Sequence, residues 1–185
     1  MKPANPMSVE PKPLEEQAGV IRGEGSGIVH TDPGNSRELT EGEISLAKFV
    51  FGDTIDYRRV RIFRKKYFLF QPRARTMAPD GNIYFHPRSP AYRDDFSNAD
   101  TRLQGLFIHE MTHVWQHQAG TDVRKAMFNR RYRYELKRGK SFSSYGLEQQ
   151  CEIVRDYFLA CRQSGADRAL DTYEEILPFP DVTNI

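Results

Sequence analysis

The sequence predicts an α+β domain dominated by helices, with a small antiparallel sheet. Three observations predict it. Apolar residues at helical spacing recur at about 40–50, 97–118 and 145–163. Short β-branched and aromatic runs lie between the first two of these, within "YRRVRIFRKKYFLFQ" and "NIYFH". The order is helix, short sheet, long helix, basic hairpin, helix, and 185 residues suffice for one such domain with a real core.

Residues 1–37, rich in Pro, Gly, Ser and Glu, read as a flexible leader or linker. Thr40-Glu41-Gly42-Glu43 is a capping box that opens a helix to about Val50. Ile44, Ala47 and Phe51 share one face of it, and Leu46, Phe49 and Val50 form a second apolar row. Val60, Ile62 and Phe63 predict a strand, and Tyr67 to Phe70 a second one. "APDG" at 78–81 is a turn, and "NIYFH" at 82–86 a short apolar strand. After the loop "PRSPAYRDDFS", Ser97-Asn98-Ala99-Asp100 reads as another cap; its helix runs to about Gln118 and Gly120 ends it. Tyr132, Tyr134 and Leu136 alternate in a basic stretch, which predicts an extended or hairpin segment closed near Gly139. The next helix covers roughly 145–163, with Leu147, Cys151, Val154, Phe158 and Cys161 at helical spacing. A short helix near 166–176 ends at Pro178. The folded domain is expected over 38–178, with 179–185 as a C-terminal tail.

The chain is 38% hydrophobic and 28% charged, as soluble globular proteins are. Its formal net charge of +2 gives no argument for a nucleic-acid partner. No apolar run approaches the ~18 residues of a membrane span. The stretch "MKPANPMSVEPKPLEEQAG" lacks the apolar segment of a signal peptide, so any exit from the cytoplasm is expected to use another route. Cys151 and Cys161 stand ten apart on one predicted helix, too far to bridge, and are expected as reduced thiols. The basic runs "YRRVRIFRKK" and 124–140 can draw an acidic substrate or a nucleic acid, but a solvated face is the simpler reading.

The chemistry concentrates in "GLFIHEMTHVWQHQAG" at 105–120. Residues four apart share a helix face, so His109 and His113 can present two imidazole nitrogens to one metal ion. Glu110 can reach a water on the ion's open side. This is the HExxH arrangement of zinc metallopeptidases, with the glutamate as general base. Leu103, Leu106, Phe107 and Val114 mark the helix as largely buried, where unpaired histidines and carboxylates are costly. Two satisfied core histidines are the plain alternative. His117 lies about 12 Å along the axis from His109 and cannot complete the same site on a continuous helix. Glu148 and Glu152, four apart on the last long helix, can both face the HExxH helix.

Glu148-x-x-Cys151-Glu152 resembles the Glu-x-x-Ala-Asp of gluzincin-type peptidases. That likeness implies Glu148 as the third zinc ligand and Glu152 as support for a ligand histidine through its other ring N–H. Position 152 departs from the pattern in carrying Glu for Asp. Together, "FIHEMTHVWQHQ" and "YGLEQQCEIVRDYF" resemble the Vgr-related metallopeptidases of bacterial type VI secretion, over about residues 38–163. The likeness is to the extension at the C-terminus of some spike proteins of that system.

The resemblance implies a zincin-like fold with one zinc ion per chain, held by His109, His113 and Glu148. It implies peptide-bond hydrolysis through a zinc-activated water, with Glu110 as base. Tyr145 and His117 are candidate oxyanion stabilisers, beside Tyr132 and Tyr134. His86, at the end of "NIYFH", is a candidate for the site rim, with an ordinary strand-end histidine the simpler reading, and that strand is a candidate for the edge that pairs with substrate. The resemblance further implies an antibacterial effector, made in the bacterial cytoplasm and injected to act in the target periplasm. Its partners would be a protein or peptide substrate, a cognate immunity protein and a component of the secretion machine. A metal-stabilised adaptor without catalysis is the competing reading.

Overall fold

The computed structural model describes residues 30–127, 131–137, 139–163 and 167–179. Among these residues the strands and α-helices are β1 (Ser36–Glu38), α1 (Glu41–Phe51), β2 (Arg61–Phe63), β3 (Thr76–Met77), β4 (Ile83–Phe85), α2 (Thr101–Gln118), α3 (Leu147–Cys161) and α4 (Asp167–Glu174). This is a mixed α/β architecture of four helices on a small sheet.

The capping box at α1 forms as expected. Glu43 N–H donates to the Thr40 hydroxyl at 3.1 Å, and Thr40 N–H donates back to the Glu43 carboxylate at 2.9 Å. The same carboxylate does more than the sequence discloses. It is fully buried, takes both guanidinium nitrogens of Arg37 at 2.7 Å and accepts the Phe96 N–H at 2.9 Å. Glu43 thereby ties β1, α1 and the approach to α2 together. A buried carboxylate persists in this way only when charge-paired and fully hydrogen-bonded. His30 to Arg37, placed by composition in the leader, pack on the domain: His30 Nδ1 lies 2.6 Å from Asp94, and Thr31 N–H donates to Asp94 at 3.0 Å. Phe179, placed in the tail, is buried edge-on against Phe51 and Trp115.

The strand order is β1-β2-β4-β3. β1 pairs antiparallel with β2 and β3 antiparallel with β4, but β2 and β4 run parallel. The sheet is therefore mixed, where the sequence predicted an antiparallel one. The turn at 78–81 folds β4 back on β3, and that reversal brings β4 beside β2 in the same direction. Tyr67 to Phe70 form no strand; four successive large apolar residues lack the period-two alternation of a half-buried strand, and they run as a loop. β4 is the buried centre of the sheet and β3 its edge, which reverses the edge role expected for "NIYFH".

α2 is capped by Asp100, whose carboxylate accepts the Leu103 N–H at 3.0 Å, and not by Ser97, which bonds Asp95. Leu103, Phe107, Ile108, Met111 and Val114 are fully buried, and Phe85, Phe96 and Phe107 stack in series under the helix. α3 lies close against α2: a Cβ on Gly105 would stand 3.2 Å from Leu159. Of the basic stretch expected to be extended or a hairpin, 128–130 and 138 lie outside the described residues; 131–137 carry no strand pairing, and Val123–Met127 is a 3-10 turn. Cys151 and Cys161 are both free thiols. Among the described residues no helix is long and apolar enough to cross a membrane.

Candidate metal centre

The α2–α3 contact brings four side chains to one point. His109 and His113 come from α2, and Glu148 and Glu152 from α3. One oxygen, Glu148 Oε2, stands 3.3 Å from His109 Nε2 and 3.3 Å from His113 Nε2. That is long for a charge-assisted hydrogen bond, which prefers ~2.7–2.9 Å. It matches the edge of a coordination tetrahedron: zinc bonds of ~2.0–2.1 Å set neighbouring donors about 3.3 Å apart. The donor chemistry, two imidazoles and a carboxylate, suits zinc as well.

Both rings are aimed by groups on their far side. His109 Nδ1–H donates to Glu152 Oε1 at 2.9 Å, and Arg155 clamps Glu152 in turn. His113 Nδ1–H donates to Gln116 Oε1 at 2.9 Å. Gln116 donates to Leu147 O and to Gln150 Oε1, and Gln150 donates to Tyr145 O. These bonds fix the tautomers that leave both Nε2 atoms facing Glu148.

Cys151 offers a different third donor, since ligand atoms of His109, His113 and Cys151 lie within 4.8 Å of one another. Its sulfur sits 3.3 Å from His113 Nδ1, the nitrogen already bonded to Gln116, and 3.6 Å from His113 Nε2. Burial, reinforced by Glu148, Glu110 and Glu152, pushes the thiol well above its ordinary range, away from the thiolate that binds metals. Glu148 Oε2, 3.3 Å from that Nε2, is the nearer of the two donors.

Charge among these side chains is shared unevenly. Burial pulls the His109 imidazole down, but its bonds to Glu148 and Glu152 outweigh that and hold it at about 9. Burial would raise Glu148, but hydrogen bonds from His109 and His113 hold it at about 2. Glu110 is pushed up by burial, against the pull of His109 and His113. Glu110 Oε2 is buried and has no hydrogen-bond partner among the described residues. An orphaned carboxylate oxygen beside three converging donors is what a site for an ion and a water would show.

A small cavity of about 70 Å³ lies over these groups, lined by His109, Glu110, His113, Glu148, Tyr132 and the β3 segment at 75–79. It shares Arg75, Thr76, His109, Glu110 and Tyr132 with a larger groove of about 750 Å³. Tyr132 tilts toward His109 with ring centroids 6.4 Å apart, and it is the tyrosine that faces the centre. Tyr145 does not: it is buried, with its hydroxyl donating to Glu135 O and accepting from Lys137 N–H. Tyr134 bonds Asp156. His117 packs over Gly81, where a Cβ would stand 2.7 Å from the ring and where a φ of 84° independently favours glycine. His86 accepts the Arg88 N–H and lines neither cavity. Sequence reasoning missed Gln116, Gln150 and Arg155. Gln116 had a legible signal: it stands three residues past His113, within reach on one helix face.

No family model matches the chain. It is similar to the type VI secretion system spike protein VgrG2b of Pseudomonas aeruginosa, at 45% identity over 154 residues. That match takes in 78% of this chain and 15% of the spike protein's length. Among solved structures it is similar to the effector domain of Pseudomonas aeruginosa VgrG2b, at 43% identity and a TM-score of 0.69, covering 83% of this chain and 88% of that one.

Proposed function

Because the chain belongs to the family of the VgrG2b effector domain of type VI secretion, we propose that it is a zinc-dependent metallopeptidase with a zincin-like fold, acting as an injected antibacterial effector. The observation that carries the peptidase reading is the convergence of both Nε2 atoms on Glu148 Oε2, with the orphaned Glu110 oxygen beside it. His109, His113 and Glu148 would hold the ion. Zinc, when bound, supplies Lewis acidity and lowers the pKa of water toward ~7.

The remaining work belongs to the chain. Glu110 takes the proton of the attacking water and hands it to the leaving amine nitrogen. Its raised proton affinity suits a group that must keep that proton between the two steps. Glu152 and Gln116 hold the two imidazoles in the tautomers the ion requires. β3, the sheet edge beside Glu110, offers main-chain groups to an extended peptide. Tyr132, which lines the cavity over these groups, is the side chain we assign to steady the developing oxyanion. A purely structural ion would leave Glu110 without a task. A protein or peptide substrate in the target periplasm, a cognate immunity protein and a secretion-machine component that loads the chain complete the proposal.

Metal content and toxicity test it together. The wild type should purify with about one zinc per chain, and Glu148→Ala should lose it. Glu110→Gln should keep fold and zinc but lose at least about a hundredfold in activity, and with it the toxicity that the reading expects of the wild type on expression in the periplasm. A wild type that takes up no zinc, or full toxicity in Glu110→Gln, would sink the reading.

A further inference from the structure

Three of the four large apolar side chains that stand exposed among the described residues sit in one loop: Tyr67 at 36%, Leu69 at 72% and Phe70 at 82% exposure. The fourth, Tyr132, lines the groove. This loop, residues 64–75, joins β2 to β3. It carries Arg64, Lys65, Lys66, Arg73 and Arg75 and no acidic residue, in a chain whose formal net charge is only +2. We infer that the tip of this loop docks on an anionic phospholipid surface, with Leu69 and Phe70 entering between the headgroups and Lys65, Lys66 and Arg73 meeting the phosphates.

The loop is built for presentation. Buried Gln71 braces its base, accepting the Tyr67 N–H at 2.7 Å and donating to Arg75 O at 2.8 Å and Tyr84 O at 3.1 Å. Tyr67 packs edge-on against Tyr84. Two of the tip carbonyls are satisfied within the loop: Phe68 O accepts the Gln71 N–H, and Leu69 O accepts Lys66 Nζ at 3.0 Å. An apolar tip enters a headgroup layer at low cost only when its main-chain groups already have partners. The ordering of the loop is also met before contact. Lysine and arginine around aromatic and aliphatic tips are the chemistry of the anionic bilayer interface. A protein partner fits less well, because a four-residue tip falls far short of the ~800 Å² per side of a stable protein interface.

The test is sedimentation of the full chain with vesicles of phosphatidylcholine, with and without phosphatidylglycerol. The wild type should follow only the phosphatidylglycerol vesicles, and added salt should release it. Leu69→Ser with Phe70→Ser should weaken binding at least about tenfold. Lys65→Gln with Arg73→Gln should weaken it about fivefold per charge removed. Circular dichroism and zinc content should stay at the wild-type level in both, which keeps this result separate from the peptidase reading. A wild type that ignores anionic vesicles, or a Leu69/Phe70 variant that binds them fully, overturns the proposal. So does a wild-type dimer that ignores vesicles and is dissociated by those two serines, since the tip would then be a protein interface.

Discussion

Glu148 and Glu152 together hold the His109 imidazole protonated well above its ordinary range when no ion is bound. Its pKa of about 9 lies above the ordinary 6.5, so its contribution to stability is complete below 6.5 and is lost as pH rises through 9. Glu148 is held at about 2, below the ordinary 4.5, so its contribution is complete above 4.5 and is lost as pH falls through 2. Glu110, raised by burial, erodes stability further as pH climbs beyond the carboxylate range. The chelated protein should therefore melt at lower temperature at pH 9 than at pH 6.5. Zinc should show the opposite trend, raising the melting temperature more at the higher pH, because it needs His109 unprotonated. Calorimetry with and without chelator at both values checks this; parallel trends would contradict the assigned proton. Glu152→Ala and Gln116→Ala should each weaken zinc binding by about 10–100-fold, read by competition with a chromogenic chelator. At this scale much was legible. The four-residue spacings of His109/His113 and Glu148/Glu152 sufficed to bring all four to one contact. Which tyrosine faces it was not, because that depends on the path of 131–137, which follows no helical or strand period.

The elements record where local rules hold and where pairing overrides them. The Thr40–Glu43 box was legible because it is satisfied within four residues. The α2 cap was misplaced by three residues, since Ser97 and Asp100 are both good caps and Asp95 engages Ser97 first. Asp100→Ala should cost about 1 kcal/mol of stability in urea unfolding, whereas Ser97→Ala should leave the helix terminus intact. Comparable losses at both positions would show that Ser97 shares the cap. The parallel β2–β4 pairing was not legible at all. Three-residue strands carry too few side chains to specify a partner, and β4 took the centre because Ile83, Tyr84 and Phe85 are all buried.

Across the whole molecule, the core and the candidate centre share one seam. α2 packs on α3 through Gly105 and Leu159 near one end and through the His–Glu–Gln cluster farther along. If zinc occupies that cluster, removing it should lower the melting temperature of the entire domain in a single transition, not loosen one helix alone. Two resolved calorimetric transitions would count against that coupling. The helix-dominated class was legible from apolar periodicity, while the reach of the fold at both ends was not: Arg37 joins through the Arg93 carbonyl and Phe179 through Phe51, contacts remote in sequence. The same seam gives the protein an optical property. Its one tryptophan, Trp115, sits on α2 two residues past His113, edge-on to Phe142 and Phe179. Two residues along a helix turn a side chain toward the opposite face, so the indole lies away from the histidines. Its ultraviolet emission is a native reporter of how α2 is seated, readable without a dye and without an ion touching the fluorophore.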